Sequence, residues 1–333
     1  MNVLVFGGGV YIGPHMCKFL IKCGNMVFVV DNFTTGFPLS LKYGQLSLGD
    51  IQDPDFLDEF FAAYSFDSVF HFAANSRVGE SIVKPSKYCR NRVLGTLNLL
   101  DTMVRHDVNN FIFFSTAATF GNPQYVPIYE NHPQVPIIPY GSSKLMVETI
   151  LKDYVKAYSL NSVALRYFNA CGADPEGELG ECHELENHLI PIALQAASGR
   201  RKSITVLDQD YDTDDGTCVR DYIHIQDLCS AHGAAFAALI EGILVGAHGF
   251  NLGNGTGFLV QQVVDVVSEV VEEGGYSFVV EEGERSERAP PILVADSRHA
   301  REVLGLQPEY CELREIVPHA WAWEKKLVSM LSI

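Results

Sequence analysis

The first half of the chain alternates short apolar runs with longer segments in which apolar positions recur at helical spacing. The apolar runs predict short buried strands at Val3–Phe6, Met26–Val30, Gln45–Leu48, Ser68–His71, Asn110–Ser115 and Ser162–Arg166. Amphipathic segments such as Asp53–Tyr64 and Lys87–Arg105 lie between them and predict helices. Strand–helix alternation indicates an α/β fold, a doubly wound parallel sheet that binds ligands beyond the carboxyl ends of its strands.

The pattern changes near residue 170. Residues 170–187 are polar, residues 205–222 carry a cluster of aspartates, and helices at Leu259–Glu273 and Pro318–Met330 belong to a less regular region. We therefore predict a first domain of residues 1–169. Residues 170–333 would form a smaller α/β lobe that is interleaved with the last strands of the first domain.

Composition and charge narrow the classes of partner. The 333 residues include 24 Lys and Arg against 41 Asp and Glu, a formal net charge of −17. Nucleic acids and anionic membranes need a basic face, so neither is expected as a partner. No apolar stretch reaches the roughly 18 residues of a membrane span. The eight cysteines form no C-x-x-C pair, and the first residues do not resemble a secretion signal. We expect reduced thiols in a cytoplasmic protein.

A glycine cluster separates the first strand from the first predicted helix. Residues 7–13 read G-x-G-x-x-x-G, and Val10 occupies the position where the other common spacing has glycine. The helix is predicted to begin near Tyr11, and a helix N-terminus binds pyrophosphate through free N–H groups. Asp31 ends the second strand, 18 residues after the last glycine, where an acidic side chain binds a ribose hydroxyl. A turn that binds nothing is the alternative; Asp31 favours a Rossmann-type domain that binds NAD rather than NADP.

A tyrosine and a lysine lie one helical turn apart in Tyr140-Gly-Ser-Ser-Lys144. Spacing i,i+4 puts both side chains on one helical face. An ammonium group beside a phenol stabilises the phenolate, which makes the phenol a useful general base. The strand that ends at Ser115-Thr116 can bring a hydroxyl to the same pocket. With the nucleotide turn, this pattern indicates proton-transfer chemistry.

The sequence gives no support for a metal site. The aspartates of residues 208–215 suggest a calcium loop, but the frame from Asp208 places Thr213 and Val219 where glycine and glutamate are needed. No H-E-x-x-H motif is present. We expect no metal.

Motifs along the chain resemble those of the extended short-chain dehydrogenase/reductase family. They include "GGGVYIG", "DNFTTG", "FSTAATFG", "PYGSSKLMVE", "LRYFNACGADPEGELGE" and "DGTCVRDYIHIQDL". The last two resemble its nucleotide-sugar 4-epimerases. The resemblance runs from residue 3 to about residue 325. It implies an NAD-dependent isomerase that interconverts UDP-glucose and UDP-galactose through a transient 4-keto sugar and bound NADH, as a homodimer paired through residues 87–105 and 140–158.

The resemblance also implies roles for individual residues. Tyr140 would be the base, Lys144 its electrostatic partner, and Thr116 a proton relay. The implied cofactor-binding residues are Gly7, Val10, Tyr11, Ile12, Gly13, Asp31, Asn32, Thr35, Gly36, Asp50, Ile51, Phe72, Ala73, Ala74, Asn91, Ser115, Tyr140, Lys144 and Tyr167. The implied substrate-binding residues are Ser76, Thr116, Tyr140, Phe168, Asn169, His188, Leu189, Arg220 and Leu293.

Departures from the family pattern keep alternatives open. Val10 should crowd the pyrophosphate, and residues 284–291 ("ERSERAPP") lack the usual ribose-binding carboxylate. One alternative is a binding protein with weakened catalysis. Another is an epimerase for a UDP-N-acetylhexosamine or UDP-uronic acid, because Leu293 is intermediate in size at a position that limits the sugar. Ala117 and Ala118 stand where related dehydratases carry acids, which argues against water elimination.

Overall fold

The computed structural model describes residues 1–73, 78–183, 186–207, 211–283 and 290–331. Its strands are β1 (Asn2–Phe6), β2 (Met26–Asp31), β3 (Gln45–Leu48), β4 (Ser68–His71), β5 (Asn110–Thr116), β6 (Asn161–Tyr167), β7 (Asn169–Cys171), β8 (Ile204–Val206), β9 (Val219–His224), β10 (Ala247–Leu252), β11 (Gly257–Leu259), β12 (Val280–Glu282) and β13 (Ile292–Leu293). Its α-helices are α1 (Ile12–Lys22), α2 (Pro54–Ala63), α3 (Val78–Val83), α4 (Pro85–Cys89), α5 (Gly95–Arg105), α6 (Pro139–Tyr158), α7 (Leu189–Ala197), α8 (Ile225–Ile240), α9 (Val260–Glu272), α10 (Arg298–Leu304) and α11 (Leu313–Leu331).

Seven parallel strands form the central sheet, in the order β3-β2-β1-β4-β5-β6-β10. The direction of winding reverses between β1 and β4, and ligand crevices form at such a switch point. The doubly wound, Rossmann-type sheet predicted from the sequence is confirmed.

Alternate residues of β1 enter two separate cores, which explains the continuous apolar runs. Val3 and Val5 pack with α1 and α8 on one face, whereas Leu4 and Phe6 pack with α2, α5 and α6 on the other. Side chains alternate between the two faces of a strand, so a strand covered on both faces must be apolar at every position.

The second half of the chain contributes to both parts of the molecule. β10 closes one edge of the central sheet, and α8 covers one of its faces. β9 pairs with β7, β11 and β13 in a smaller sheet, and α7, α9 and α11 share a third core. The division at residues 169 and 170 stays a prediction. Among the described residues, no helix combines the length and apolar character needed to cross a bilayer.

Three predicted elements differ from the structure. β3 is an edge strand and largely exposed rather than buried, because it pairs only with β2. Residues 87–105 are not one helix: α4 leads through a π-helical turn at Arg90–Leu94 into α5. The last helix begins at Leu313 and contains Pro318. Burial of Ile316 and Val317 holds that first part in the helix despite the proline.

Candidate active site

A cavity of about 530 Å³ opens where β1, β5 and β6 end and where the smaller sheet faces them. Strand pairing places the residues of the cavity's far wall side by side. Arg220 of β9 pairs with Leu293 of β13, and Asn169 begins the neighbouring β7. The predicted site residues that line this cavity are Gly7, Val10, Tyr11, Ile12, Gly13, Phe72, Thr116, Tyr140, Tyr167, Phe168, Asn169, His188, Arg220 and Leu293.

A second, smaller cavity lies on the other side of the glycine turn. The predicted site residues that line it are Asp31, Asn32, Thr35, Asp50, Ile51, Ala73 and Asn91, together with Gly7 and Val10. Gly7 and Val10 border both cavities, so the two meet at the turn. An elongated ligand that occupied both would cross the turn at Val10.

At Gly7 and Gly13 the turn lies against other backbone and leaves no room for a side chain. Gly7 has φ +82°, and a Cβ there would lie 2.4 Å from the backbone nitrogen of Ala73. A Cβ on Gly13 would lie 2.2 Å from the carbonyl oxygen of Gly7. Val10 is not in the left-handed region, so it escapes the backbone strain that a β-branched residue would suffer there. Its half-buried side chain packs against the core beneath the turn.

Asp31 connects the turn to the second cavity. Its carboxylate accepts hydrogen bonds from the backbone N–H groups of Gly9 and Phe33, both at 2.7 Å. Burial raises the pKa of Asp31, and these two hydrogen bonds oppose the rise. A carboxylate has about four acceptor positions, so acceptor capacity remains for a hydroxyl group of a ligand.

Tyr140 and Thr116 line the first cavity together. Pro139 begins α6 and puts Tyr140 in its first turn, while Thr116 ends β5. The Thr116 hydroxyl accepts a hydrogen bond from the backbone N–H of Ala118 at 3.2 Å. A phenol and a hydroxyl on one cavity wall can pass a proton to and from a bound alcohol.

Lys144 does not border either cavity. It is buried one turn along α6, donates to the carbonyl oxygen of Phe114 at 2.5 Å, and lies 3.9 Å from the centre of the Phe114 ring. Burial lowers its pKa well below the ordinary lysine value, and the nearby positive charge of Arg92 lowers it further.

Other predicted residues also lie outside both cavities. The hydroxyl of Ser115 is buried and donates to Glu148 at 2.5 Å. Gly36 packs against the backbone of Gly9, where a Cβ would approach to 2.8 Å. Leu189 begins α7 and packs on the third core. Ala74 and Ser76 lie outside the described residues.

Sequence reasoning missed Arg92, which lies in the π-helical turn. Its guanidinium is buried 4.0 Å from the centre of the Tyr140 ring and donates to the Tyr140 carbonyl oxygen and the Ser143 hydroxyl, both at 3.0 Å. Burial lowers the pKa of Arg92. The available signal was an arginine at the start of the segment "RVLGTLNLL", whose other residues are uncharged.

Of a group of histidines and glutamates on the cavity wall, only His188 was predicted as a site residue, for substrate binding. Glu181, His183 and His188 line the first cavity, and Glu186 contacts both histidines. Carboxylate contacts raise the pKa of His183 to about 9 and that of His188 well above its ordinary value, against the effect of burial. The signal was two Glu-x-His pairs separated by two residues.

Comparison with known proteins adds to this geometry. The model of the NAD dependent epimerase/dehydratase family matches residues 3–249, which include the glycine turn, Asp31, Thr116, Tyr140 and Arg220. The chain belongs to this family. The match confirms the resemblance to extended short-chain dehydrogenases.

Several proteins of the epimerase/dehydratase family resemble this chain over almost its whole length. A UDP-glucose 4-epimerase of Halalkalibacterium halodurans is 45% identical over 98% of this chain and 96% of its own length. The structure of UDP-glucose 4-epimerase from Brucella ovis in complex with NAD has a TM-score of 0.92 at 44% identity, over 96% of this chain and 97% of that one. The enzyme from Bifidobacterium longum, in complex with NAD+ and UDP, has a TM-score of 0.91 at 34% identity over 98% of both chains.

Proposed function

We propose that this member of the family is a UDP-glucose 4-epimerase that binds NAD and interconverts UDP-glucose and UDP-galactose. The observation that carries the proposal is a single cavity lined by the glycine turn, the Tyr140 phenol, the Thr116 hydroxyl and Arg220. The relatives named UDP-glucose 4-epimerase cover both the cofactor side and the substrate side of this cavity.

The two adjoining cavities fit an elongated dinucleotide. Asp31 lies in the smaller cavity, where its free acceptor positions suit the adenosine ribose hydroxyls and its charge disfavours a 2′-phosphate. The glycine turn has no side chains at Gly7 and Gly13, and the N-terminus of α1 follows it. The residues of these two cavities would hold NAD, and the bound cofactor would supply reversible hydride transfer at carbon 4 of the hexose.

The chain supplies the proton transfers. Thr116 relays the proton of the sugar's 4-hydroxyl group to Tyr140, which acts as the base. Once the keto sugar has turned over, the proton returns from Tyr140 to the 4-oxygen along the same path. Arg92 places its guanidinium 4.0 Å from the centre of the Tyr140 ring, and Lys144 is buried one turn along the same helix as Tyr140. Ala117 and Ala118 beside Thr116 offer no acid for water elimination.

Substrate binding is divided between a polar and an apolar wall. Arg220, Asn169 and His188 hold the UDP group, and the arginine pairs with a phosphate. Phe168 and Leu293 belong to a small apolar cluster and contact the hexose loosely, so that it can rotate. Binding energy from the remote nucleotide then supports chemistry at a sugar that is weakly held.

Replacing Tyr140 by phenylalanine tests the mechanism. We expect Tyr140→Phe to lower kcat for UDP-galactose by roughly 10²- to 10⁴-fold, the usual range for loss of a general base. The matched control is Tyr154→Phe on the same helix, whose hydroxyl instead bonds to Asp101 at the molecular surface. Equal turnover by Tyr140→Phe and Tyr154→Phe would rule out the proposed role.

Two further measurements separate the alternatives. An ultraviolet spectrum of the acid-released supernatant should reveal about one NAD per chain; a protein without NAD would favour a weakened binding protein. Values of kcat/KM for UDP-glucose, UDP-N-acetylglucosamine and UDP-glucuronic acid, measured side by side, identify the preferred sugar.

The homodimer and the cytoplasmic location expected from the sequence remain part of this proposal. Leu94 of the π-helical turn and Met146 of α6 are large apolar side chains exposed on the predicted dimer helices. Burial of such side chains favours association. Light scattering should therefore report about twice the chain mass of 36.8 kDa; the mass of one chain would contradict the dimer.

A further inference from the structure

We infer that Glu181, His183, Glu186 and His188 form a binding site for one zinc ion on the wall of the first cavity. The inference goes beyond the proposed epimerase activity: of the four side chains only His188 has a role there, in binding the UDP group, and metal content tests the ion site independently of that role. It departs from the expectation of no metal, which rested on the aspartate loop, the cysteine spacing and the lack of an H-E-x-x-H motif or a close carboxylate spacing.

Donor atoms of these four side chains converge. The Nδ1 atom of His183 lies 3.1 Å from Glu181 Oε1 and 3.2 Å from Glu186 Oε2. The Nδ1 atom of His188 lies 2.7 Å from Glu181 Oε1 and 2.9 Å from Glu186 Oε1. One donor atom from each side chain lies within 4.8 Å of the other three.

These separations are close to those of a tetrahedral zinc site. Ligand atoms about 2.0–2.2 Å from zinc lie roughly 3.3–3.6 Å apart. The His–Glu contacts of 2.7–3.2 Å would widen to seat the ion, and any wider pair, which is bounded by 4.8 Å, would close. Two imidazole nitrogens and two carboxylate oxygens are also a donor set that zinc accepts. Magnesium and calcium prefer oxygen ligands alone and fit this set poorly.

Burial gives the cluster a reason to bind a cation. The Glu181 and Glu186 side chains are only 6% and 3% exposed. Glu181 Oε1 has no hydrogen bond of good geometry although both imidazoles lie against it. Two adjacent buried carboxylates need compensating positive charge. One divalent ion would replace the protons that the two imidazoles now hold against these carboxylates: the protons leave to solvent, the ion balances both carboxylates, and that oxygen gains a partner.

A second cluster of acidic side chains in the molecule differs from this one because a lysine contacts it. Asp174, Glu176 and Glu178 also converge, but Lys18 contacts all three at 2.7, 2.7 and 2.8 Å. The buried Lys18 ammonium, together with Lys22 on Glu176 at 2.6 Å, already supplies that group with fixed positive charge. In the described part of the chain, Glu181 and Glu186 have ion pairs with the two histidines and with neither lysine nor arginine.

The donors are held in place before an ion arrives. Glu186 Oε1 accepts the backbone N–H groups of Asn187 and His188 at 2.8 and 2.9 Å. The carbonyl oxygen of Glu181 accepts the Trp323 indole N–H at 2.9 Å, which ties the segment to α11. Such secondary contacts orient metal ligands. The half-exposed His188 leaves an approach from solvent.

A bound ion would join both ends of residues 181–188, just before α7. His188 is the residue before that helix, and His188, Asn187 and His183 line the cavity. We therefore assign zinc a structural role: it fixes the wall that faces Tyr140.

Zinc content tests the inference directly. The full chain is incubated with zinc chloride, desalted and analysed by mass spectrometry for metal; we expect about one zinc per chain, as a four-ligand site should retain it. Cobalt chloride in place of zinc should give the visible absorption of tetrahedral Co²⁺. A chain that retains no zinc, or cobalt that stays octahedral, would overturn the inference and mean that the cluster is an ion-pair network only.

Variants locate the ion. His183→Gln with His188→Gln should lower zinc content at least tenfold, with circular dichroism and NAD content as checks on folding. Glu176→Gln, in the group held by Lys18, is the matched control and should keep its zinc. Equal zinc in the double variant and the wild type, or loss in Glu176→Gln to the same degree, would overturn the site.

Discussion

At the scale of single residues, Arg92 orients the Tyr140 ring. Its guanidinium lies against the ring and bonds to the Tyr140 carbonyl oxygen. A cation against an aromatic face contributes about 1–2 kcal/mol when desolvated, so we expect Arg92→Met to lower kcat roughly tenfold while KM changes little. Arg92→Lys should recover part of the loss. The control is Arg90→Met, an exposed residue of the same turn; equal kcat in Arg92→Met and Arg90→Met would contradict the role.

Val10 is the other residue whose effect can be isolated, because it borders both cavities at the glycine turn. Its backbone is unstrained, so any effect on NAD must come from its side chain. We expect Val10→Gly to raise the NAD retained through purification severalfold, and Val10→Ile to lower it. Chromatography of acid-released nucleotide measures both. If retention is the same in all three proteins, Val10 does not crowd the cofactor.

At the scale of elements, the connection from β1 to α1 depends on how closely it approaches the loop after β4. Gly7 and Gly24 have nearly equal φ values, +82° and +80°, but only a Cβ on Gly7 meets other atoms within 4 Å. Gly24→Ala should therefore cost about 1 kcal/mol of unfolding free energy, from backbone strain.

Gly7→Ala adds a collision with the backbone of Ala73 to the same strain, and we expect a loss of about 3–4 kcal/mol. Urea unfolding of both variants measures the difference. Equal losses would mean that the loop after β4 gives way easily and does not constrain the turn.

At the scale of the whole molecule, buried neutral histidines set the response to acid. Burial lowers the pKa of His15 and His232 to about 4, and that of His71 and His224 to about 3. In the unfolded chain a histidine titrates near pH 6.5, so protons bind the unfolded state first as the pH falls. Stability from these groups is present above pH 6.5 and is lost toward pH 4.

The free energy of unfolding should fall by on the order of 2 kcal/mol per histidine between pH 7 and pH 5. Asp221, whose pKa burial raises to about 6, offsets part of this loss because its protonated form favours the folded state. Urea unfolding at the two pH values measures the change. Equal stability at pH 7 and pH 5 would contradict the prediction.

Local pattern predicted much of the fold. The bounds of β3 and β4 agree with the predicted strands, and α2 and α9 lie within one residue of the predicted helices at each end. These elements are specified by the alternation or helical repeat of neighbouring residues, which backbone geometry alone dictates. Three features depend on what packs against the segment: the exposed edge at β3, the π-helical turn and the early start of the last helix. The local pattern of residues does not specify that packing.

By itself the sequence determined the parallel α/β sheet, the glycine turn beside Asp31, and the one-turn spacing of Tyr140 and Lys144, because each is set by residues close together in the chain. Only the tertiary structure decided that Arg92 lies over a tyrosine 48 positions away, that Thr116 faces the cavity while Ser115 faces Glu148, and that two Glu-x-His pairs converge on that cavity. Those contacts arise from the packing of distant elements, where burial and unpaired charge, rather than local spacing, select the partner.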